Sequence, residues 1–177
     1  MLVRRGLQGH VPLVAAAKKL QDEILSPTQT PSPDSSPLEK QYAAVTMFKK
    51  VSLATLGLAM QSYGEKLTDQ QEVLSFVSDI LMDTYASESV VLRAQRAAAT
   101  TGAAAKLHED AASLFVNDAA NRVDVAAKAA VAAMTEGDTL RTHLAALRRL
   151  LKVSPINTVT LRRGLADAAV QQAGYTF

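Results

Sequence analysis

An all-α fold, an antiparallel up-and-down helical bundle with long helices and a flexible proline-rich linker, follows from three features of the sequence. Alanine dominates the apolar residues, and the 177-residue chain holds only 8 glycines and 6 prolines. Alanine costs no side-chain entropy in a helix, and few positions here interrupt one. Apolar residues recur at three- and four-residue spacing rather than in alternation. The stretch from Lys40 to Gln95 reads as two such helices joined by one tight turn. Gly64 stops the first in a left-handed conformation that is costly for other residues, and Thr68 with Gln71 forms a capping box that starts the second. The pair therefore runs antiparallel, and the rest of the chain is placed against this hairpin.

Residues 1–25 read as a connector with a short helix. Arg4 and Arg5 precede the first acid, Asp22, as in a transit peptide, but Gly6, Gly9 and Pro12 interrupt an amphipathic helix. Pro12 suits the first turn of a short helix running to about Leu25. No apolar run approaches the roughly 20 residues that cross a bilayer, so no integral membrane segment is expected. The chain has no cysteine, hence no disulfide, thiolate nucleophile or cysteine zinc site, which is compatible with a cytoplasmic location. Residues 26–37, SPTQTPSPDSSP, cannot bury enough apolar surface to offset their ordering entropy and read as the linker. Its end is also a helix start: Ser36 caps, Pro37 takes the first helical position and Glu39 reaches back. Residues 38–177 form the bundle.

The first long helix carries Tyr42, Val45, Phe48, Ser52, Thr55, Leu56, Ala59 and Tyr63 on one side. The second carries Val73, Val77, Ile80, Thr84, Val91 and Leu92, with Glu72, Asp79 and Asp83 on a stripe about 100° round the helix. Thr84 and Glu88 lie at the seam edge, where a buried polar group needs a partner and then sets register. A break at Thr100–Gly102 precedes an alanine-rich helix from Ala103 to Met134, with Leu107, Leu114, Val123 and Ala130 toward the hairpin and Gly137 at its end. Asp138 caps the next helix, whose Leu140, Leu144, Leu147 and Leu151 form a narrow apolar seam with Arg141, Arg148 and Lys152 beside it. Asn157 caps the last helix, Ile156 staples onto Leu161, and the helix ends at Gly174. The expected core is thus Tyr42, Phe48, Leu56, Val73, Ile80, Leu140, Leu144, Leu147, Leu151 and Leu161.

Signatures of catalysis are missing. His10, His108 and His143 lie far apart, His108-Glu109 is followed by Asp-Ala-Ala rather than the zinc-protease spacing, and no glycine-rich phosphate loop or nucleophile elbow occurs. Asp79 and Asp83, one turn apart on a polar face, read as a solvated pair. A formal charge of +2 and the pairs Arg148–Arg149 and Arg162–Arg163 offer little for base contacts, so no nucleic-acid partner is expected. Glu72, Asp79 and Asp83 share the seven-then-four spacing of Arg141, Arg148 and Lys152. The two stripes can therefore pair in register, within one bundle or across a dimer.

SLATLGLAMQSYGEKLTDQQEVLSFVSDILMDTYASESVVLRAQ, followed by EGDTLRTHLAALRRLLKVSPINTVTLRRGLADA, resembles the extra C-terminal domain of bacterial acyl-CoA dehydrogenases of the very-long-chain type. The opening MLVRRGLQGHVPLVAAAKKL is similar to the connector that follows their catalytic part. The resemblance implies a parent flavoenzyme that oxidises fatty acyl-CoA with a glutamate base and FAD and passes electrons to an electron-transfer flavoprotein. The base lies in a Glu-Gly-Thr motif upstream of the connector, as do the flavin and acyl-CoA residues, so none is carried onto a position here. What is implied for this chain is a non-catalytic accessory domain with no cofactor of its own, packing on the catalytic dehydrogenase domain and supporting a homodimer. A free-standing helical adaptor or oligomerisation protein is the alternative, and a nucleic-acid-binding regulator ranks third.

Overall fold

The computed structural model describes residues 12–24, 32, 34–99 and 103–174, and among them every regular element is helical. These are α1 (Leu13–Ile24), α2 (Pro37–Tyr63), a 3-10 segment (Gly64–Asp69), α3 (Gln71–Ala98), α4 (Ala103–Met134), α5 (Gly137–Leu150) and α6 (Thr158–Gln172). The start of the connector, most of the proline-rich linker, the break at 100–102 and the tail after Gly174 lie outside the described residues.

Local chemistry explains most of the boundaries. The Ser36 hydroxyl accepts from the Glu39 N–H at 3.3 Å and the Ser36 N–H donates to Glu39 Oε2 at 2.7 Å, with Pro37 opening α2 as expected. These bonds hold the Glu39 carboxyl below its ordinary value. Asn157 caps α6 by accepting from the Thr160 N–H at 3.1 Å.

The hairpin turn differs from the expectation. Gly64 has the expected positive φ, 54°, but a ψ of −127° takes it out of the left-handed helical region. The chain then makes a 3-10 turn that drives Leu67 to 0% exposure. Burying that leucine consumes the residues assigned to the cap. Gln71 donates to the Thr68 carbonyl at 2.9 Å instead of closing a reciprocal box, and α3 starts with Gln70 as an N-cap whose side chain makes no capping bond.

Two further caps move by a residue or two. Gly137, with φ 57°, opens α5 rather than ending α4, and the cap position falls on Glu136. Asp138 sits in the first turn, where its charge faces the positive end of the helix dipole. At the end of α6 the left-handed residue is Ala173, φ 50°, in place of Gly174.

Alanine places α4 at the centre. Ala112, Ala119, Ala127 and Ala130 are all 0% exposed, and their small side chains let α4 lie against α2, α3, α5 and α6 at once. Phe48, Val51, Ile80, Val91, Val123 and Leu147 fill the space between. A second cluster of Leu56, Met60, Leu67, Val73 and Val77 closes the hairpin end. α1 crosses α2 where Gly57 meets Ala17; a Cβ at position 57 would overlap that of Ala17.

Of the expected core, Phe48, Leu56, Val73, Ile80 and Leu147 are buried. Leu140, Leu144 and Leu151 are partly buried against the core, and Leu150, off the expected seam, is 3% exposed. Leu161 is only partly covered, because α6 contains no fully buried residue, and Ile156 stays 42% exposed. Tyr42 is a correction: it is 50% exposed. Both α3 and α4 cover α2, and its buried arc runs through Gln41, Ala44 and Phe48, about 100–160° from Tyr42.

α2 also corrects the expectation that no stretch suits a bilayer. By length and composition the helix through Pro37–Asp69 qualifies, an 18-residue window within it having a mean hydropathy of 1.3, yet 56% of that window is buried inside the bundle. More than half of the window is thus committed to the core.

Truncation should separate the two classes of leucine. Phe48→Ala and Leu147→Ala are each expected to lose about 2–5 kcal/mol of unfolding free energy in urea titrations, Leu144→Ala clearly less.

Candidate functional site

The charged stripes singled out from the sequence lie on different helices and do not meet within one chain. Asp83 of α3 is taken by Arg122 of α4. The guanidinium Nε lies 3.0 Å from Oδ2 and an NH2 group 2.6 Å from Oδ1, a two-pronged pair that raises the arginine pKa. Arg141 of α5 is taken by Asp138, one turn earlier, at 2.7 Å. α5 packs against α4, α2 and α1. Glu72, Asp79, Arg148 and Lys152 are exposed and form no ion pair among the described residues. Equal spacing on two helices is met by any pair of helical stripes, so it carried no information about which helices are neighbours.

What the structure assembles is a chain of charges the sequence reading missed. Phe115, Asp118, Arg122, Val125 and Ala129 follow at three, four, three and four residues and so occupy one line along α4. Arg122 reaches Asp83 on α3, its guanidinium standing 5.6 Å from the Phe115 ring centre. Asp118, one turn away, binds Arg162 of α6 at 2.5 Å. Asp83, Arg122, Asp118 and Arg162 thus link three helices on one side of the bundle. The available signal, Asp118 and Arg122 four residues apart, is shared by Lys106–Asp110 and Asp124–Lys128 on the same helix, so spacing alone did not single it out.

Beside this line α3 and α4 leave a groove of about 640 Å³, bordered by Phe76, Asp79, Met82, Asp83, Arg122, Val125 and Ala129. Met82 and Val125 are 61% and 69% exposed. A second cavity, about 530 Å³, lies between α2, α4 and α5, with Leu58, Val131, His143, Leu147 and Arg149 among its lining residues. Burial lowers the His143 pKa from 6.5. Among the described residues no group of three histidines, aspartates or glutamates can hold a metal ion.

Thr84 does act as the seam polar group anticipated for it. Its hydroxyl lies 3.0 Å from that of Ser52, and each also has the carbonyl four residues earlier within reach, so with one proton apiece one hydroxyl donates across the seam while the other donates to its own helix carbonyl. Glu88, the other seam-edge residue, pairs with Lys49 of α2 at 2.5 Å.

Two measurements check this geometry. A double-mutant cycle on Asp83 and Arg122 should return a coupling of about 1 kcal/mol, and one on Asp79 and Arg148 a value near zero for the monomer. For His143 the unfolded chain binds its proton first, so stability should decline as pH falls below 6.5 toward the lower folded-state value. Denaturation at several pH values should show His143→Leu flattening that decline.

Comparison with known proteins places the whole chain. Residues 47–149 match the family model for the acyl-CoA dehydrogenase C-terminal domain. A probable acyl-CoA dehydrogenase of Bacillus subtilis (strain 168) is 37% identical over 180 residues, which cover 98% of this chain and 29% of that protein. An acyl-CoA dehydrogenase of Bacillus anthracis, crystallised in complex with FAD, aligns with a TM-score of 0.91 and 34% identity over 99% of this chain and 30% of that one. The chain therefore spans 29–30% of the length of these relatives.

Proposed function

The chain belongs to the acyl-CoA dehydrogenase C-terminal domain family, and from that membership we propose that it serves as the non-catalytic accessory and dimerisation domain of an FAD-dependent acyl-CoA dehydrogenase. In this reading the parent enzyme oxidises fatty acyl-CoA in the cytoplasm and hands electrons to an electron-transfer flavoprotein. The helical bundle packs against the catalytic dehydrogenase domain.

The observation that carries the proposal is the match over nearly all of this chain to under a third of each relative. The chemistry of the larger groove supports a flavin site elsewhere. Its border sets Asp79 and Asp83 beside a single guanidinium, already bound to one of them. FAD carries a negative diphosphate, which cations or helix N-termini stabilise and uncompensated carboxylates repel. The groove does not fit the flavin, and no step of the oxidation is assigned to residues of this chain.

The purified chain is expected to be colourless and to leave an electron-acceptor dye oxidised when mixed with acyl-CoA of any length. Absorbance of bound flavin, or dye reduction that depends on acyl-CoA, would overturn the non-catalytic assignment.

A further inference from the structure

The cavity between α2, α4 and α5 joins an apolar floor to a cation that the bundle leaves without a partner. Leu58, Val131, Leu147 and Leu150 line it, and each is at most 8% exposed. The two hydroxyls on its wall are already engaged: Thr55 donates to the Val51 carbonyl at 2.8 Å and Thr142 to the Asp138 carbonyl at 2.9 Å. Burial keeps the His143 imidazole uncharged at neutral pH. Arg149 is therefore the one charge among the described residues that line the cavity, and it forms no ion pair among the described residues.

The walls favour one sign of ligand. No aspartate or glutamate occurs in residues 40–64 of the α2 region, 125–135 of the α4 region or 139–150 of α5, the stretches that border the cavity. A carboxylate placed there meets a guanidinium with its donors free and no like charge on these walls. The α3–α4 groove has the opposite preference, with Asp79 and Asp83 on its border. At about 530 Å³ the cavity falls within the roughly 300–1,000 Å³ typical of small-molecule sites. Between His143 and Arg149 it follows α5 for about 9 Å at 1.5 Å per residue, past Ala146 and Leu147. A bare inorganic anion would leave this apolar length uncovered, and a neutral hydrocarbon would leave the arginine without a partner.

We propose that the cavity binds an amphipathic monoanion, an alkyl carboxylate whose chain lies over Leu58, Val131, Leu147 and Leu150 and whose head group is held by Arg149. The planar guanidinium presents two parallel donors that match the two carboxylate oxygens. This site goes beyond the accessory role proposed above and does not depend on it.

Isothermal titration calorimetry of the full chain with decanoate, at neutral pH and below its micellar concentration, tests this. One saturable site per chain is expected, with octanoate about tenfold weaker because two fewer methylenes are buried. Arg149→Gln should weaken decanoate binding about tenfold or more. Arg148→Gln removes an equal charge one residue away but not from the cavity lining, and should leave the affinity unchanged. Both arginines are exposed, so these variants should keep the helical circular dichroism of the unaltered chain. Ala146→Phe fills the cavity without altering the arginine and should abolish binding. The absence of saturable binding, equal losses in the two arginine variants, full affinity in Ala146→Phe, or an affinity indifferent to chain length would each overturn the proposal.

Discussion

Close approach of backbones to α4 is the constraint on which the bundle depends. A helix of 32 residues can touch four others only if its own side chains keep those axes near, and alanine does this at Ala112, Ala119, Ala127 and Ala130. The larger residues that complete the core, Phe48, Ile80 and Leu147, come from the surrounding helices and fill the layer that the alanines leave shallow. Enlarging a buried alanine would force an overpacked side chain against neighbours on several sides, a change that costs typically 1–3 kcal/mol.

Polar contacts then select one arrangement from the many such a smooth interface would allow. Ser52 and Thr84 meet across α2 and α3 in the one register that pairs their hydroxyls. Gln41 donates to Ser113 and fixes α2 against α4. Each buried group excludes slipped alternatives, because a shift along the helix would leave it unpaired away from water. The surface pairs Lys49–Glu88 and Asp83–Arg122 add orientation more than energy, being largely exposed on their cationic side.

Periodicity and capping residues made the elements legible, since both are local. Ser36, Pro37, Glu39 and Asn157 act as their types require, and α4 begins and ends where its composition changes. What the sequence concealed was relational. Thr68 was a plausible cap until Leu67 found a buried position, which no local rule foretells. Tyr42 belonged to an apolar stripe, yet two partners rather than one cover α2 and turn the buried arc away from it. The acidic stripe was visible, but its neighbour was Arg122 on an alanine-rich helix and not the arginines of α5. Contacts between helices distant in sequence depend on packing order, and spacing within each helix does not encode that order.

The absence of a fully buried residue in α6 sets a hierarchy of opening for the folded chain. Partly covered leucines and the Arg162–Asp118 pair attach this helix to α4, so it can detach while the layer around Phe48 remains intact. The free energy of that local event lies well below the free energy of global unfolding. α6 is therefore a separable cooperative unit, one whose release leaves the layer around Phe48 in place.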